Sequence, residues 1–501
     1  MNNAVVIRAN QTNLQPKGSW QENPFFQSSL LLVSISVIIG LLFGISGRPT
    51  TAAFLVIACL IPLIWQRPVI ATYVLAAGAV LFETFRLHFP DSFTDQAPFF
   101  QSSLTLGGPR WIPLNGAEMI LLATLLTIAI KNVAVKARPL TTGTLFGPAA
   151  LLAAMTLLGL AHGITNGVNT TIANWEARPY LYLFLAYLVT FNVIKSRGEV
   201  KNILWIFLIA VALKGLIGSI RFFLVLGGDI SRIREYTTYN SLMAHEESYF
   251  FALFLALFAI LYLFRGDRRQ LQFAAVFSPF VIFSLLANER RGGTLYLALM
   301  ILVVSIFAYR LLPAYVIGVG NRSGLIAQPA RAVVSIFNPN SRDASSDQYR
   351  QIENRNLKAN IAIDPIIGQG YGKPMVQFET LPDISDKFIY WDTVPHNTVL
   401  WVWLRLGFIG FAALLFLIGR SIVEAGLASK YMKSSYLKGL AVFSIAGIAG
   451  WVAIGAVDMG LVNLRISILV GVLLAIIAKF RTFDKEDSST QLEPAKTILR
   501  S

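Results

Sequence analysis

Charge is scarce in this chain. Of its 501 residues only 14% are Asp, Glu, Lys or Arg, against roughly 25% in a soluble domain. Hydrophobic residues, 55% of the total and including 35 Phe, fill the deficit in long uninterrupted runs. A soluble enzyme, a disordered chain and a fibrous repeat are therefore excluded. Cysteine is almost missing. Cys59 stands alone inside an apolar run, so neither an intrachain disulfide nor a Cys-based metal site can form. Acidic residues are outnumbered 27 to 42, leaving a net charge of +15. In a soluble chain that excess would suggest nucleic acid. Here most Lys and Arg fall in short loops between apolar runs, as in cytoplasmic membrane loops, and nucleic-acid binding is rejected.

The runs are what the sequence has in abundance. Met1–Gln27 is polar, carries Arg8 and Lys17, and precedes no small-residue cleavage pattern. It is expected to be a retained tail rather than a signal peptide. Ser28–Gly47 has the roughly 20 residues that a helix needs to cross a bilayer. Further runs lie at Thr50–Trp65, Val69–Phe85, Ala117–Val135, Leu145–Ala161, Tyr180–Ile194, Ile203–Leu226, Tyr249–Phe264, Phe273–Ala287 and Leu295–Phe307. Val399–Ile418, Gly439–Val457 and Leu461–Ala478 follow a long polar interval. None alternates with period two, which excludes a β-barrel. Lipid offers no partner to free backbone groups, so each run must be helical.

Lys and Arg orient the runs. Arg67, then Lys131, Lys136 and Arg138, then Lys195, Arg197 and Lys201, then Arg265, Arg268 and Arg269 mark every second loop. Lys430, Lys433, Lys438 and the tail from Lys479 mark the same side. These loops and both termini are expected in the cytoplasm. Arg310 then leaves one crossing missing before Val399, and Leu311–Ile326 is the stretch that can supply it. The expected fold is an all-α polytopic integral membrane protein of about 12–14 transmembrane helices with one large external loop. Within that loop Ser345–Ile363 reads as a polar helix and Asp364–Lys373 as turns.

Residues with chemistry gather on the expected external side. Arg290–Arg291–Gly292–Gly293 breaks the positive-inside pattern. Its arginines suit either headgroup anchoring or a bidentate clamp on phosphate oxygens, with glycines that let a bulky ligand approach the backbone. Ser346–Asp347–Gln348–Tyr349–Arg350 is a solvated helix turn or a further part of that clamp. The glycines of Asp364–Gly372 allow tight turns but lack the Lys and Ser/Thr of a phosphate loop. His396–Asn397 opens a span directly after the loop that carries Arg350, whereas His88, His162 and His245 read as satisfied interfacial residues. Lys214 and Arg221 share a helix face, and Asp458 and Arg465 flank the last hairpin. Such intramembrane charge keeps open an alternative class, a secondary transporter or flippase for an anionic or lipid-linked substrate.

Arg291–Gly–Gly at a span start, Ser346-x-x-x-Arg350, Asp364-Pro-x-x-Gly368-x-Gly370, and His396-Asn-x-x-Leu400 with Gly407-x-x-Gly410 occur in that order. Together they resemble the O-antigen ligase and O-antigen polymerase superfamily, over roughly Tyr239 to Gly410. Trp175–Tyr180, containing Arg178, is similar to that family's arginine-led span. Departures stand at Arg290, where relatives usually have Ser, at Arg405, often acidic, and at Met243–Ser248, where relatives carry Asn. The resemblance implies a bacterial inner-membrane glycosyltransferase with its catalytic loop in the periplasm. It would move a glycan from a polyprenyl-diphosphate carrier to a glycan, lipid A core or protein acceptor. Arg290, Arg291, Arg350 and Arg178 would hold the diphosphate, with Arg291 also catalytic, His396 would be the base, and Asn397 would support it. No cofactor or metal is expected. The implied layout is a cytoplasmic tail at 1–27, N-terminal spans at 28–230, and a catalytic region at 231–420 that includes the external loop 328–395. A hairpin at 421–480 and a cytoplasmic tail at 481–501 complete it.

Overall fold

The computed structural model describes residues 49–84, 94, 97–102, 114–229, 232–233, 242–288, 290–308, 341–385, 388 and 390–498. The expected spans Ser28–Gly47 and Leu311–Ile326, the 1–27 tail and residues 328–340 of the long loop lie outside the described residues. Each remaining apolar run is a helix. In chain order the α-helices are α1 (Pro49–Gln66), α2 (Val69–Leu81), α3 (Gly116–Ala134), α4 (Phe146–Thr165), α5 (Thr170–Val193) and α6 (Arg197–Ile220). A π-turn, Arg221–Val225, extends α6, and α7 (Glu247–Leu263), α8 (Arg268–Ala287) and α9 (Arg291–Phe307) follow. The polar helix is α10 (Ser341–Ile363), and α11 (Thr398–Tyr431), α12 (Ser435–Val457) and α13 (Leu464–Ile498) close the chain. Among the described residues there is no β-strand. Seven of the helices are long and apolar enough to cross a membrane, and α2, α7 and most of α9 are shorter apolar helices. The protein is an all-α, polytopic membrane protein.

Helices begin where caps are, not where hydropathy rises. Asp267 accepts from the backbone N–H groups of Arg269 and Gln270, so α8 starts five residues ahead of its apolar run. Asn115 with Glu118, and Ser196 with Glu199, form reciprocal capping boxes that open α3 and α6.

The basic loops meet at one end of the bundle. Arg197 Nη2 donates to Ser434 Oγ at 2.9 Å, Lys201 pairs with Asp267 at 2.6 Å, and Tyr436 donates to Gln270 at 3.3 Å. At the opposite end lies a buried ion network. Lys214 of α6 pairs with Glu83 at 2.6 Å and Glu247 at 3.1 Å, and Arg465 of α13 pairs with Glu247 at 2.7 Å and Glu246 at 3.2 Å. Arg465 also donates to the carbonyls of Ala79 and Val80 at the end of α2. Removing one partner from such a network strands a buried charge, so the network fixes where α2, α6, α7 and α13 end relative to one another. Of the intramembrane charges that left transport open, Lys214 and Arg465 are thus engaged in this network, Arg221 donates to the Leu242 carbonyl, and Asp458 pairs with His245.

One helix is broken to receive the loop. Within α11, Gly407 has φ 64° and ψ −173°, a backbone that is essentially reserved for glycine. The Asp364–Gly372 stretch plugs the gap: Gln369 N–H donates to the Leu404 carbonyl at 2.8 Å, Gly370 N–H to that of Arg405 at 3.1 Å, and Phe408 N–H to that of Pro365 at 2.8 Å. Non-helical backbone at membrane depth survives only when its groups find such partners. The plug also reaches α4, where Tyr371 N–H donates to the Gly159 carbonyl at 3.1 Å. Arg405, fully buried, locks the arrangement. Its guanidinium pairs with Glu176 of α5 at 2.9 Å and donates to the carbonyls of Gly370, Lys373 and Thr393, while Glu176 also accepts from Gly372 N–H.

Candidate active site

His396 lies just before α11, at the end opposite the basic loops. Glu353 of α10 takes two hydrogens from it. The His396 backbone N–H donates to Oε2 at 2.8 Å, and Nδ1 lies 3.1 Å from both carboxylate oxygens. A carboxylate only accepts, so Nδ1 carries a hydrogen, and in the neutral ring Nε2 holds the lone pair. The Glu353 side chain is 2% exposed and that of His396 22%: the orienting group is sealed and the ring reaches solvent. Tyr349 packs edge-on against the ring with centroids 5.9 Å apart. Asn397 caps α11 through Leu400 N–H and donates to Asn354 of α10, each at 3.1 Å.

Arg350 stands one turn before Glu353 on the same face of α10. Its Nε is buried and has no hydrogen-bond partner among the described residues, a condition that a ligand acceptor would relieve. The charges of Asp458, Arg350 and Arg290 all bear on the Tyr296 hydroxyl of α9, and those of His245, His396 and Arg350 on Asp458. Arg290, Arg350 and His396 therefore share one neighbourhood. Burial by itself would raise the Asp458 carboxyl, but His245 above all, then His396 and Arg350, holds it well below the usual carboxylate range.

The remaining expected residues fare differently. Arg291 opens α9 beside Arg290, and its side chain lies outside the described residues. Its glycines do not stand open for a ligand. A Cβ on Gly292 would lie 2.3 Å from the Tyr296 hydroxyl, and one on Gly293 would lie 2.9 Å from Leu285 and Ser248; they serve helix packing. Arg178 pairs with Glu118 of α3 at 3.3 Å. It stands two residues, about 200° around the helix, from Glu176, which faces the plug. Of the other histidines, His88 lies outside the described residues and His162 lies within α4, 3.4 Å from the Asn166 amide.

Sequence reasoning missed Glu353, although its place three residues after Arg350 on a predicted helix was a usable signal. It also missed that His245, 3.2 Å from Asp458, belongs to this neighbourhood. No spacing joins residues so far apart in the chain.

What the helices and this cluster define is a polytopic membrane protein with a histidine–carboxylate pair and arginines gathered at one end. Residues 250–415 match the family model described as O-Antigen ligase, and the match supports the O-antigen ligase and polymerase superfamily. It runs from α7 into α11 and takes in Arg290, Arg350, Glu353 and His396. No curated protein matches the chain.

Proposed function

We propose that the protein transfers a glycan from a polyprenyl-diphosphate carrier to an acceptor hydroxyl on the periplasmic side of a bacterial inner membrane. A sugar on a lipid diphosphate already has a good leaving group. The protein must bind that diphosphate, compensate the charge that grows as the anomeric C–O bond breaks, and remove the acceptor proton. Arg290, Arg291 and Arg350 supply the first two in a partly dehydrated site. Arg178 is the outlying member of the clamp and would exchange Glu118 for phosphate. Nε2 of His396 takes the proton, and Glu353 holds the ring in the tautomer and orientation that this needs. The observation that carries the proposal is the double hydrogen bond from His396 to a sealed Glu353, one helical turn from an arginine whose Nε lacks a partner among the described residues.

The test is transfer by the purified protein, with donor binding measured separately. Replacing Arg350 or Arg291 by Lys keeps charge but loses the guanidinium fork, and both variants should insert normally and lose most transfer. His396→Ala should still bind donor and fall about 10²-fold or more in turnover. Wild-type transfer in all three variants would overturn the proposal.

A further inference from the structure

Two histidines, not one, face this neighbourhood, each with Nδ1 against a carboxylate. Asp458 takes the backbone N–H of Met459 on one oxygen at 2.8 Å and Nδ1 of His245 on the other at 3.2 Å. Each ring thus turns Nδ1 toward a carboxylate and leaves Nε2 open. The His245 side chain is 40% exposed, so its open edge is accessible to a bound molecule.

Independent contacts bring the two units together. Thr398, two residues after His396, places its hydroxyl 3.0 Å from the Gly455 carbonyl and 3.2 Å from that of Asp458. On the other side, Asn288 holds the turn that carries His245. Its side-chain oxygen accepts from Met243 N–H at 2.9 Å, and its amide donates to Ser248 Oγ at 3.1 Å. Asn288 ends α8, two residues before Arg290, so one side chain ties the His245 turn to the arginine pair. The charged groups around His245 are Asp458, the adjoining Glu246 with its partner Arg465, and, across Asp458, His396 and Arg350.

We infer that His245, held by Asp458, is a second proton-transfer residue that acts as the general acid on the departing diphosphate while His396 acts as the base on the acceptor. The inference rests on the function proposed above. The acceptor oxygen forms its bond to the anomeric carbon as its proton passes to Nε2 of His396. The anomeric C–O bond breaks with its electron pair on the phosphate oxygen, and that oxygen takes the proton from Nε2 of a His245 imidazolium. The net result moves one proton from acceptor hydroxyl to diphosphate. The rings regain their starting states through solvent, to which both are open.

Separate stations explain why two carboxylate-held imidazoles are needed. In a direct displacement the nucleophile and the leaving group lie on opposite faces of the sugar carbon, out of reach of a single ring. His245 and Asp458 both lie outside the residues matched by the family model, so the inference stands on geometry alone.

The test compares His245→Gln, Asp458→Asn and His396→Ala in the purified full-length protein, reading donor binding and turnover across pH. Gln keeps a hydrogen-bonding group near Asp458 but cannot deliver a proton. His245→Gln should bind donor normally, turn over about 10²-fold more slowly and lose the alkaline limb of the pH profile. Asp458→Asn, which removes the anion that favours the imidazolium, should move that limb to lower pH. If His245→Gln fails to fold, the Asp458→Asn profile decides alone. A normal rate and an unchanged alkaline limb in either variant would overturn the inference, as would loss of donor binding in His245→Gln. Those results beside an inactive His396→Ala would sink only the second station; a fully active His396→Ala would sink the proposed function as well.

Discussion

Glu353→Gln tests the orienting role proposed for the buried carboxylate. The replacement keeps volume and one acceptor oxygen but swaps the other oxygen for an amide that donates. In the native protein Oε2 takes the His396 backbone N–H at 2.8 Å and shares Nδ1–H with Oε1 at 3.1 Å. Gln can satisfy one of these hydrogens and must set its NH2 against the other. A hydrogen bond to a charged group is worth about 1.5–3 kcal/mol, which corresponds to about 10- to 150-fold in turnover if the ring loses its tautomer or aim. Donor binding should hardly change, since the Glu353 side chain is buried. The assay is transfer by the purified protein under saturating donor, with the double variant Glu353→Gln/His396→Ala alongside. If Glu353 acts only through His396, the double variant is no slower than His396→Ala. Wild-type turnover in Glu353→Gln, or multiplied losses in the double variant, would refute the reasoning.

Gly407→Ala puts a Cβ 2.0 Å from the Ile366 carbonyl oxygen at a backbone geometry only glycine tolerates. It should cost about 3 kcal/mol or more and lower the thermal midpoint in detergent; an unchanged midpoint would mean that the break is not needed. Glu176→Ala strands the Arg405 guanidinium and should cost about 3–5 kcal/mol, most of it recovered in Glu176→Leu/Arg405→Met. Equal stability of wild type and the single variant would count against the lock. A cysteine at the exposed Ser345, in a Cys59→Ala background, should react with an impermeant maleimide on intact cells. Labelling only after lysis would reverse the orientation assigned to the active site.

The spans were legible because burial in lipid and hydropathy are the same quantity. The run Ala117–Val135 became Gly116–Ala134, and the polar helix expected from Ser345 begins at Ser341. The break at Gly407 was hidden for the same reason: an apolar run reports depth in the membrane and is blind to whether the helix continues. The Asp364–Gly372 glycines announced turns but not what the turns plug, because the partner carbonyls belong to α11 and α4. His396, Arg290 and Arg350 were readable as charges out of place. Asp458 was readable as a charge but not as the partner of His245, and Glu176 not at all, since a single acidic residue acquires its role only from the cation or imidazole that the fold sets against it.

The plug at the break in α11 dictates an order of events in biogenesis. When α11 first enters the bilayer, the carbonyls of Leu404 and Arg405 still await the N–H groups of Gln369 and Gly370, and Arg405 awaits a carboxylate 229 residues earlier in the chain. Lipid supplies neither. The helix is therefore expected to take its final shape after insertion, when α4, α5 and the loop close on it together. A chain halted short of that closure would be full length, correctly inserted and inert. Substitutions at Gly159 or Glu176 should yield this product, and membrane abundance would give no sign of it.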